Sequence, residues 1–281
     1  MFITQDGSKA NRMGQGTWYL GENRETYQNE IEAIQTGIEE GMNLLDTAEM
    51  YGEGAAELLL GDAIRPYKRE SLFIVSKVYP WNANREHIFQ SCEQSLKRLG
   101  TEYLDLYLLH WKGNASFPET VSCMEELKTQ GMIRSWGVSN LDVDDMQKIY
   151  ALPNGNHCLT NQVLYHLGSR GVEYSLYPWM REHDIALMAY CPLAQAGRLK
   201  KQLLENSVLR NVAERHGATV YQILLAFLLS HPGVIPIPRS GHKSHTLENA
   251  AAMDIALSAH DLEELDAAFP TPAAKVPLDV E

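Results

Sequence analysis

Cysteine, positive charge and long apolar runs are all scarce in this sequence of 281 residues. Its four cysteines lie far apart and form no CxxC pair, which disfavours a zinc site or a disulfide framework and favours a reducing compartment. The formal net charge of -12 argues against a nucleic-acid or anionic-membrane partner, since phosphate binding needs a basic face. The longest apolar run, residues 223–229, is too short to span a bilayer, and residues 1–13 contain no apolar signal-peptide core. We therefore expect a cytoplasmic protein.

The glycine fingerprint of the Rossmann dinucleotide-binding fold is also absent. The GQG at 14–16 and the GEG at 52–54 each lack the third glycine at the required spacing. A dinucleotide, if one binds, must therefore be held by a different architecture.

Short runs that are apolar or alternating recur along the chain, with helical stretches between them. The runs are residues 13–18, 43–48, 72–77, 104–110, 134–139, 158–163, 185–190 and 234–238. Several are apolar throughout, as expected of parallel strands buried on both faces. Eight such runs predict an α/β fold, either a closed (β/α)8 TIM barrel or a doubly wound open sheet. With no interior linker, residues 1–281 are expected to form a single domain.

Several helix ends can be read from capping residues. Asn84 is an expected N-cap for a helix whose apolar residues fall at 88, 92, 96 and 99. Thr219 opens the strongly apolar stretch YQILLAFLL. Ser258 and Asp261 have the spacing of a capping box for a last helix that ends near Phe269.

The most informative polar residues follow three consecutive predicted strands. Asp46 lies at the carboxyl end of the second strand, and Tyr51 follows in its loop. Lys77 ends the third strand and His110 ends the fourth. Neighbouring strands of a parallel barrel lie about 4.8 Å apart, so these side chains can meet on the rim where barrel enzymes carry out catalysis. A Lys or His at one strand end is more often structural, and a loop Tyr is by default a surface aromatic, but the coincidence on three strands favours function.

These four residue types suit the reduction of a carbonyl by hydride. Negative charge develops on the carbonyl oxygen and needs a proton donor, which the phenol of Tyr51 can supply at neutral pH. The ammonium of Lys77 would stabilise the phenolate, and Asp46 would fix and balance that ammonium. His110 would donate a second hydrogen bond to the oxygen. We find no Ser or Cys nucleophile with a His base and no metal-ligand cluster in the sequence.

Two segments could hold the source of the hydride. After the eighth predicted strand, Arg239 and Ser240 precede a helix containing Glu248 and Asn249, and a helix N-terminus with a cation forms an anion site. After the seventh, Tyr190 offers an aromatic face to a ring. It is followed by a loop that could cross a pyrophosphate, with Cys191, Pro192, Leu193 and Gln195.

The sequence resembles the aldo-keto reductase superfamily over essentially its whole length. The resemblance is carried by GTW at 16–18, DTA at 46–48 with YG at 51–52, SK at 76–77, LHW at 109–111, GVSN at 137–140, NQ at 161–162 and IPR at 237–239. Residues 13–22 and 161–176 are similar to bacterial methylglyoxal reductases in particular. The resemblance implies that Asp46, Tyr51, Lys77 and His110 are the catalytic tetrad, with Tyr51 as general acid.

The resemblance also implies roles in cofactor binding. Ser139, Asn140 and Gln162 would bind the carboxamide of nicotinamide, and Tyr190 would stack on its ring. The full set of expected cofactor contacts is Gly16, Thr17, Trp18, Asp46, Ser139, Asn140, Gln162, Tyr190, Cys191, Pro192, Leu193, Gln195, Ile237, Pro238, Arg239, Ser240, His245, Glu248 and Asn249.

The cofactor preference depends on the 2′-phosphate contacts. In the family these fall on the positions of Arg239, Ser240 and a later residue that is often Arg, which is His245 here. NADPH is therefore the expected cofactor, with NADH possible but less favoured.

The substrate expected is small. The stretch 111–117 and the twelve residues after Phe269 are too short to fold over a steroid-sized ligand. The pocket walls are expected to be Trp18, Tyr51, Tyr79, His110 and Trp111. Such a slot favours small carbonyls, above all α-dicarbonyls such as methylglyoxal. The family resemblance separately implies that the protein is a monomer.

Three rival interpretations stay open. A class I aldolase would use Lys77 as a Schiff base but would leave Tyr51 without a role. A metal-dependent barrel hydrolase would need several His and carboxylate ligands at strand ends, where only Asp46 and His110 are present. A redox-sensing subunit that binds the cofactor without turnover, like the barrel subunits of some potassium channels, could keep the same four residues.

Overall fold

The computed structural model describes residues 2–3, 9–194 and 198–281. In those ranges ten strands form a two-stranded antiparallel sheet and an eight-stranded parallel sheet. The strands are β1 (Phe2–Ile3), β2 (Lys9–Ala10), β3 (Gly14–Gly16), β4 (Leu44–Asp46), β5 (Phe73–Val78), β6 (Leu104–Leu109), β7 (Ile133–Ser139), β8 (Cys158–Leu164), β9 (Ala186–Tyr190) and β10 (Val234–Pro236). All eight strands predicted from the sequence are present, so the α/β class is confirmed.

The parallel sheet closes on itself. Strands β3 to β10 lie side by side in chain order. The first and last meet where Gly16 pairs in parallel with Arg239, just beyond β10, and the Gly16 N–H donates to the Pro238 carbonyl oxygen at 3.1 Å. Because the sheet is closed, the fold is a (β/α)8 barrel, and the alternative prediction of a doubly wound open sheet is wrong.

The barrel interior is filled by apolar side chains. Every residue of β5 and β6 is buried, because the barrel lumen covers one face of each strand and helices cover the other. The interior cluster consists of Ala10, Leu44, Phe73, Val75, Leu106, Leu108, Ala186, Met188, Ile235 and Ile237. Ala10 belongs to β2, a strand that the sequence did not predict, and it packs into this core.

Helices fill the connections between the barrel strands. They are α1 (Tyr27–Glu39), α2 (Ala55–Ile64), α3 (Ile88–Leu99), α4 (Phe117–Thr129), α5 (Val143–Tyr150), α6 (Leu176–Glu182), α7 (Arg198–Glu205), α8 (Ser207–Arg215), α9 (Val220–Leu229), α10 (Lys243–Ala251) and α11 (Ala259–Ala268). None of the helices in the described ranges has both the length and the apolar content needed to cross a bilayer.

The predicted caps can be compared with the observed ones. Thr219 caps α9 and Ser258 caps α11, each as part of a capping box, and α11 ends at the residue before Phe269, as predicted. Asn84 accepts the N–H groups of residues 86 and 87, but those residues form a turn and α3 begins only at Ile88. The predicted N-cap therefore holds the turn that leads into the helix.

Candidate active site

A cleft of about 260 Å³ opens at the carboxyl ends of the barrel strands. This is the face where barrel enzymes carry their active sites, because the βα loops converge there. The predicted residues that line it are Gly16, Trp18, Asp46, Tyr51, His110, Trp111, Ser139, Asn140, Gln162, Tyr190, Cys191, Pro192, Leu193, Ile237, Pro238 and Arg239. The folded chain therefore brings most of the predicted site to one place.

Lys77 lies fully buried beneath the cleft. Its Nζ donates to Asp46 Oδ2 at 2.7 Å, to the Thr47 carbonyl oxygen at 2.8 Å and to the Tyr51 hydroxyl at 3.0 Å. An ammonium has three N–H donors, and this geometry uses all of them. Because the Tyr51 oxygen accepts from Lys77, its own O–H is free to donate into the cleft.

Burial controls the protonation of these groups. It raises the pKa of Tyr51 well above its usual range, and the nearby Asp46 carboxylate raises it further. The phenol therefore carries its proton at neutral pH. Burial also lowers the pKa of Lys77, which Asp46 opposes, and raises the pKa of Asp46, which Lys77 and a Gln162 hydrogen bond oppose. Each member of the buried pair thus favours the charged form of the other.

His110 is buried beside Tyr51, with the two rings meeting edge to face at a centroid distance of 5.6 Å. Burial lowers the pKa of His110 well below its usual range, and the Lys77 ammonium lowers it further. The imidazole is therefore neutral at pH 7 and has a single N–H to donate. It can orient a substrate oxygen, whereas Tyr51 is the group with a proton to transfer.

The loop that carries Tyr51 has an unusual backbone. Gly52, Glu53 and Gly54 all have positive φ, at 56°, 53° and 95°. Glycine adopts such angles freely, but for Glu53 they are disfavoured and must be held by the surroundings. Tyr51–Gly54 forms a 3-10 turn that leads directly into α2, so a small change in that turn would move the phenol.

Polar side chains line the cleft on the β7 to β9 side. The Tyr190 hydroxyl donates to Asn140 Oδ1 at 2.9 Å, and Asn140 Nδ2 donates to the His110 carbonyl oxygen at 3.2 Å. Ser139 donates to the Gln162 carbonyl oxygen at 2.8 Å, and Gln162 Nε2 donates to Asp46 Oδ1 at 2.7 Å. These amides and the half-buried Tyr190 ring are fixed in position next to the tetrad.

The predicted phosphate contacts are more dispersed. Arg239 lines the cleft, exposed, with its guanidinium carbon 6.0 Å from the centre of the Tyr19 ring. Ser240 hydrogen-bonds the backbone of residue 242 at the entry to α10. His245 is exposed in the first turn of α10. Glu248 and Asn249 lie further along that helix, half-buried and buried, and neither lines the cleft.

Thr17 is a predicted contact that does not line the cleft. Thr17 is buried, and its hydroxyl donates to the Asp46 carbonyl oxygen at 3.0 Å. Its position therefore suits support of Asp46 more than contact with a ligand. Gln195 lies outside the described residues.

Aromatic rings form the substrate side of the cleft. Trp18 stacks near Tyr51 at a centroid distance of 6.2 Å, and Trp111 lies 4.8 Å from the His110 ring. Tyr79 does not line the cleft; it stacks on Trp81 at 4.8 Å and meets Trp111 edge to face. Trp111 contacts both the Tyr79 ring and the His110 ring, and the expectation that Tyr79 is a pocket wall stays a prediction.

Five residues that the sequence did not indicate also line the cleft: Tyr19, Met50, Ala194, Lys200 and Glu281. Tyr19 and Met50 adjoin predicted site residues, so the motifs could have indicated them. Glu281 had no local signal. The segment after α11 crosses the barrel, with Lys275 bound to Asp142 and Asp144, and so brings residue 281 to the cleft even though it forms no helix.

The described residues contain no group of three or more His, Cys, Asp or Glu side chains placed to hold a metal ion. The four residues at the centre of the site are instead one ion pair, one phenol and one neutral imidazole.

This site and fold define an oxidoreductase: the chain belongs to the aldo/keto reductase family, whose family model matches residues 12–269. It is 52% identical to "Methylglyoxal reductase YeaE" of Escherichia coli (strain K12) over 95% of this chain and 94% of that protein. It is 35% identical to "Glyoxal reductase" of Bacillus subtilis (strain 168) over 84% of this chain and 82% of that protein. The predicted family, and the similarity to methylglyoxal reductases, are both confirmed.

A solved structure has nearly the same fold. An aldo/keto reductase from Klebsiella pneumoniae, crystallised in complex with NADP and acetate, superposes with a TM-score of 0.96 at 48% identity. The superposition covers 100% of this chain and 99% of that one.

Proposed function

We propose that this protein reduces small aldehydes and α-dicarbonyls such as methylglyoxal to alcohols, with NADPH as cofactor and Tyr51 as general acid. The observation that carries the proposal is the position of Lys77, whose ammonium contacts Asp46 and Tyr51 beneath an aromatic-walled cleft. This arrangement leaves the phenol protonated and its O–H free.

The residues of the cleft fit a nicotinamide dinucleotide. Ser139, Asn140 and Gln162 gather polar groups that suit a carboxamide, and Tyr190 offers an aromatic face beside them. Arg239 supplies a cation on the β10 side for a phosphate. The relative from Klebsiella pneumoniae was crystallised with NADP, which supports the same cofactor here.

The chain's own residues then act on the carbonyl group. Bound NADPH supplies the hydride that adds to the carbonyl carbon. As negative charge develops on the oxygen, Tyr51 donates its proton and the alcohol forms. Lys77 stabilises the phenolate left behind, Asp46 balances Lys77, and solvent returns the proton. Neutral His110 donates a hydrogen bond that orients the carbonyl oxygen.

The cleft favours small, electron-poor substrates. Trp18 and Trp111 bring flat apolar surfaces close to Tyr51 and His110. A second carbonyl beside the first makes the reacting carbon more electrophilic, so an α-dicarbonyl should react fastest. The two curated relatives named above are a methylglyoxal and a glyoxal reductase, which supports this substrate class.

The test is a comparison of kcat/KM with NADPH for methylglyoxal, an aldose and a ketosteroid, followed by loss of NADPH absorbance. We expect methylglyoxal to be highest. A ketosteroid or an aldose that matches it would contradict the substrate class but leave the reductase intact. Borohydride trapping of a substrate adduct on Lys77 would favour an aldolase. Tight NADPH binding without turnover of any carbonyl would favour a redox sensor.

A further inference from the structure

A second buried carboxylate lies behind the tetrad, outside the cleft. Glu57, in the first turn of α2, is 0% exposed. Its Oε2 accepts from Arg98 Nε at 2.5 Å, and its Oε1 accepts from the Ser76 hydroxyl at 2.6 Å. Arg98 lies in the last turn of α3 and is half-buried. A buried charge is retained only when it is paired and hydrogen-bonded, and this one is both.

The network joins the two segments of the chain that carry Lys77 and Tyr51. Ser76 is the residue before Lys77 on β5, and successive side chains of a strand point to opposite faces. Lys77 thus faces the barrel interior while Ser76 faces α2. Glu57 in turn lies two residues after the start of α2, which follows directly from the turn that begins at Tyr51. One carboxylate therefore connects the strand of Lys77 to the turn of Tyr51.

Arg98 also supports that turn directly. A Cβ placed on Gly54 would lie 2.6 Å from Arg98 Cδ and 2.8 Å from Arg98 Nε, so the arginine side chain packs against the bare face of this glycine. Gly54 and Glu53 both have positive φ. A strained turn keeps its shape only when its neighbours determine it, and Arg98 is such a neighbour.

We propose that Glu57 is a positioning residue for the Tyr51–Lys77 pair: held by Arg98 and Ser76, it fixes the Tyr51 turn against β5 and places a second negative charge behind Lys77. The inference rests on the proposed carbonyl reduction and adds to it a residue that touches neither substrate nor cofactor.

The charge of Glu57 should affect the pH dependence of the reaction. Lys77 is surrounded by Asp46 on β4, Tyr51 in its loop, His110 after β6 and Glu57 on α2. Burial lowers the pKa of Lys77, and Asp46 and then Glu57 raise it. Glu57 itself faces several groups besides Lys77. They are Arg98 and the Cys92 thiol on α3, the Ser76 hydroxyl on β5 and the Tyr107 phenol on β6. The negative charge of Glu49, like that of Glu57, raises the pKa of Cys92 and of Tyr107.

Glu57→Gln tests the proposal because it removes the charge and keeps the size of the side chain. Without that charge the pKa of Lys77 falls, so the alkaline limb of the kcat profile should move to lower pH. Displacement of the Tyr51 turn should lower kcat for methylglyoxal about tenfold, with KM for NADPH changed less than about twofold. Ser76→Ala keeps the charge and should lower kcat less, with the alkaline limb unmoved.

The matched control is Asp105→Asn, which alters another buried carboxylate bound to an arginine, at the far end of the barrel. Asp105→Asn should lower Tm, but kcat and the alkaline limb of the kcat–pH profile should stay as in the wild type. The proposal would be overturned if Glu57→Gln lowered Tm but left both kcat and the alkaline limb of the kcat–pH profile as in the wild type.

If Glu57→Gln does not fold, Arg98→Lys decides the matter, since it keeps the charge but loses the planar group against Gly54. A lower kcat with unchanged KM is expected, and an unchanged kcat would overturn the proposal. Wild-type turnover is measured in the same assay. Its absence would refute the proposed function and this inference together, whereas wild-type turnover with unaffected variants would refute the inference alone.

Discussion

Two ion pairs, each with a buried carboxylate, lie at opposite ends of the barrel, and they differ in what surrounds them. Arg69 and Asp105 meet at the amino-terminal end, where the Arg69 guanidinium is 2.6 Å from Asp105 Oδ2. Arg69 also donates to Thr101, to the Leu72 carbonyl oxygen and to the Tyr103 carbonyl oxygen. None of these partners lines the cleft that holds Tyr51, and Asp105 also accepts the backbone N–H of Ile74, so the pair links β5 to β6.

The Lys77–Asp46 pair at the carboxyl-terminal end is arranged differently. Two acceptors of Lys77 are Asp46 and a carbonyl oxygen, but the third is the hydroxyl of Tyr51, which lines the cleft. The Lys77 and Asp46 side chains are 0% and 3% exposed, against 17% and 4% for Arg69 and Asp105, so this pair is the more deeply buried one. It is also linked to a group that can exchange a proton with a ligand. The N···O distances are similar, 2.7 and 2.6 Å, so the two pairs differ in their burial and in that third partner.

The backbone shows the same contrast between the cleft and the rest of the barrel. Of the seven non-glycine residues with positive φ in the part of the chain that the structure describes, five lie in loops around the cleft. These five are Tyr19, Glu53, Asn140, Cys191 and Ala194. Strained backbone tends to concentrate where a side chain must be held in one place for function.

Tyr51→Phe should show most clearly that the Lys77–Asp46 pair, unlike the Arg69–Asp105 pair, is connected to catalysis. It removes the proton donor and leaves Lys77 and Asp46 in contact, so kcat should fall by about 10²–10⁴-fold. Cofactor affinity and Tm should stay close to those of the wild type, because the phenol acts only as the alkoxide forms. Retention of more than about a tenth of the rate, with chemistry shown to be limiting, would remove Tyr51 as the general acid.

Lys77→Met should reduce the rate to a similar extent but for a different reason. The variant removes the cation and leaves the buried Asp46 without its partner, so Tm should fall as well. If Lys77 and Tyr51 act as one unit, the double variant should lose much less than the product of the two single losses. Multiplicative losses in kcat would show that the two side chains contribute independently.

Arg69→Met breaks the other ion pair. It leaves the buried Asp105 with the more distant Arg134, whose Nε is 4.0 Å from Asp105 Oδ1. Loss of the shorter contact should cost up to about 3–5 kcal/mol of unfolding free energy, measured by urea denaturation. Activity at temperatures where the variant stays folded should match that of the wild type. A loss of kcat in the folded variant would contradict the view that this end of the barrel is purely structural.

The sequence predicted the eight barrel strands and the tetrad for one physical reason. Parallel strands buried on both faces are short apolar runs, and a charged residue at the end of such a run is conspicuous. Asp46, Lys77 and His110 stood out in this way, and strand order alone then brought them together. Ser139 and Gln162 became meaningful only through the family resemblance.

The features that the sequence did not predict depend on contacts between distant segments. Glu57 is one of many acidic residues on helices, and nothing near it in the sequence indicates that Arg98 covers it. Tyr79 follows the same strand as Lys77, but whether it or Trp111 reaches the cleft depends on how the two loops pack. Glu281 reaches the cleft through anchors such as Lys275, which no local pattern reveals.

Arg239→Ala should have the smallest effect of these variants, confined to the cofactor. The guanidinium lies exposed at the cleft, just beyond β10, where it can meet the 2′-phosphate that distinguishes NADPH from NADH. A charge-assisted hydrogen bond of that kind contributes about 1.5–3 kcal/mol, which corresponds to a factor of about 10–150 in Kd. NADPH binding, measured by quenching of tryptophan fluorescence, should weaken by that factor while NADH binding barely changes. Arg239→Lys, which keeps the charge but loses the planar fork, should retain part of the preference. Equal weakening of NADPH and NADH would place Arg239 at the pyrophosphate that both cofactors share, and the preference for NADPH would then need another residue.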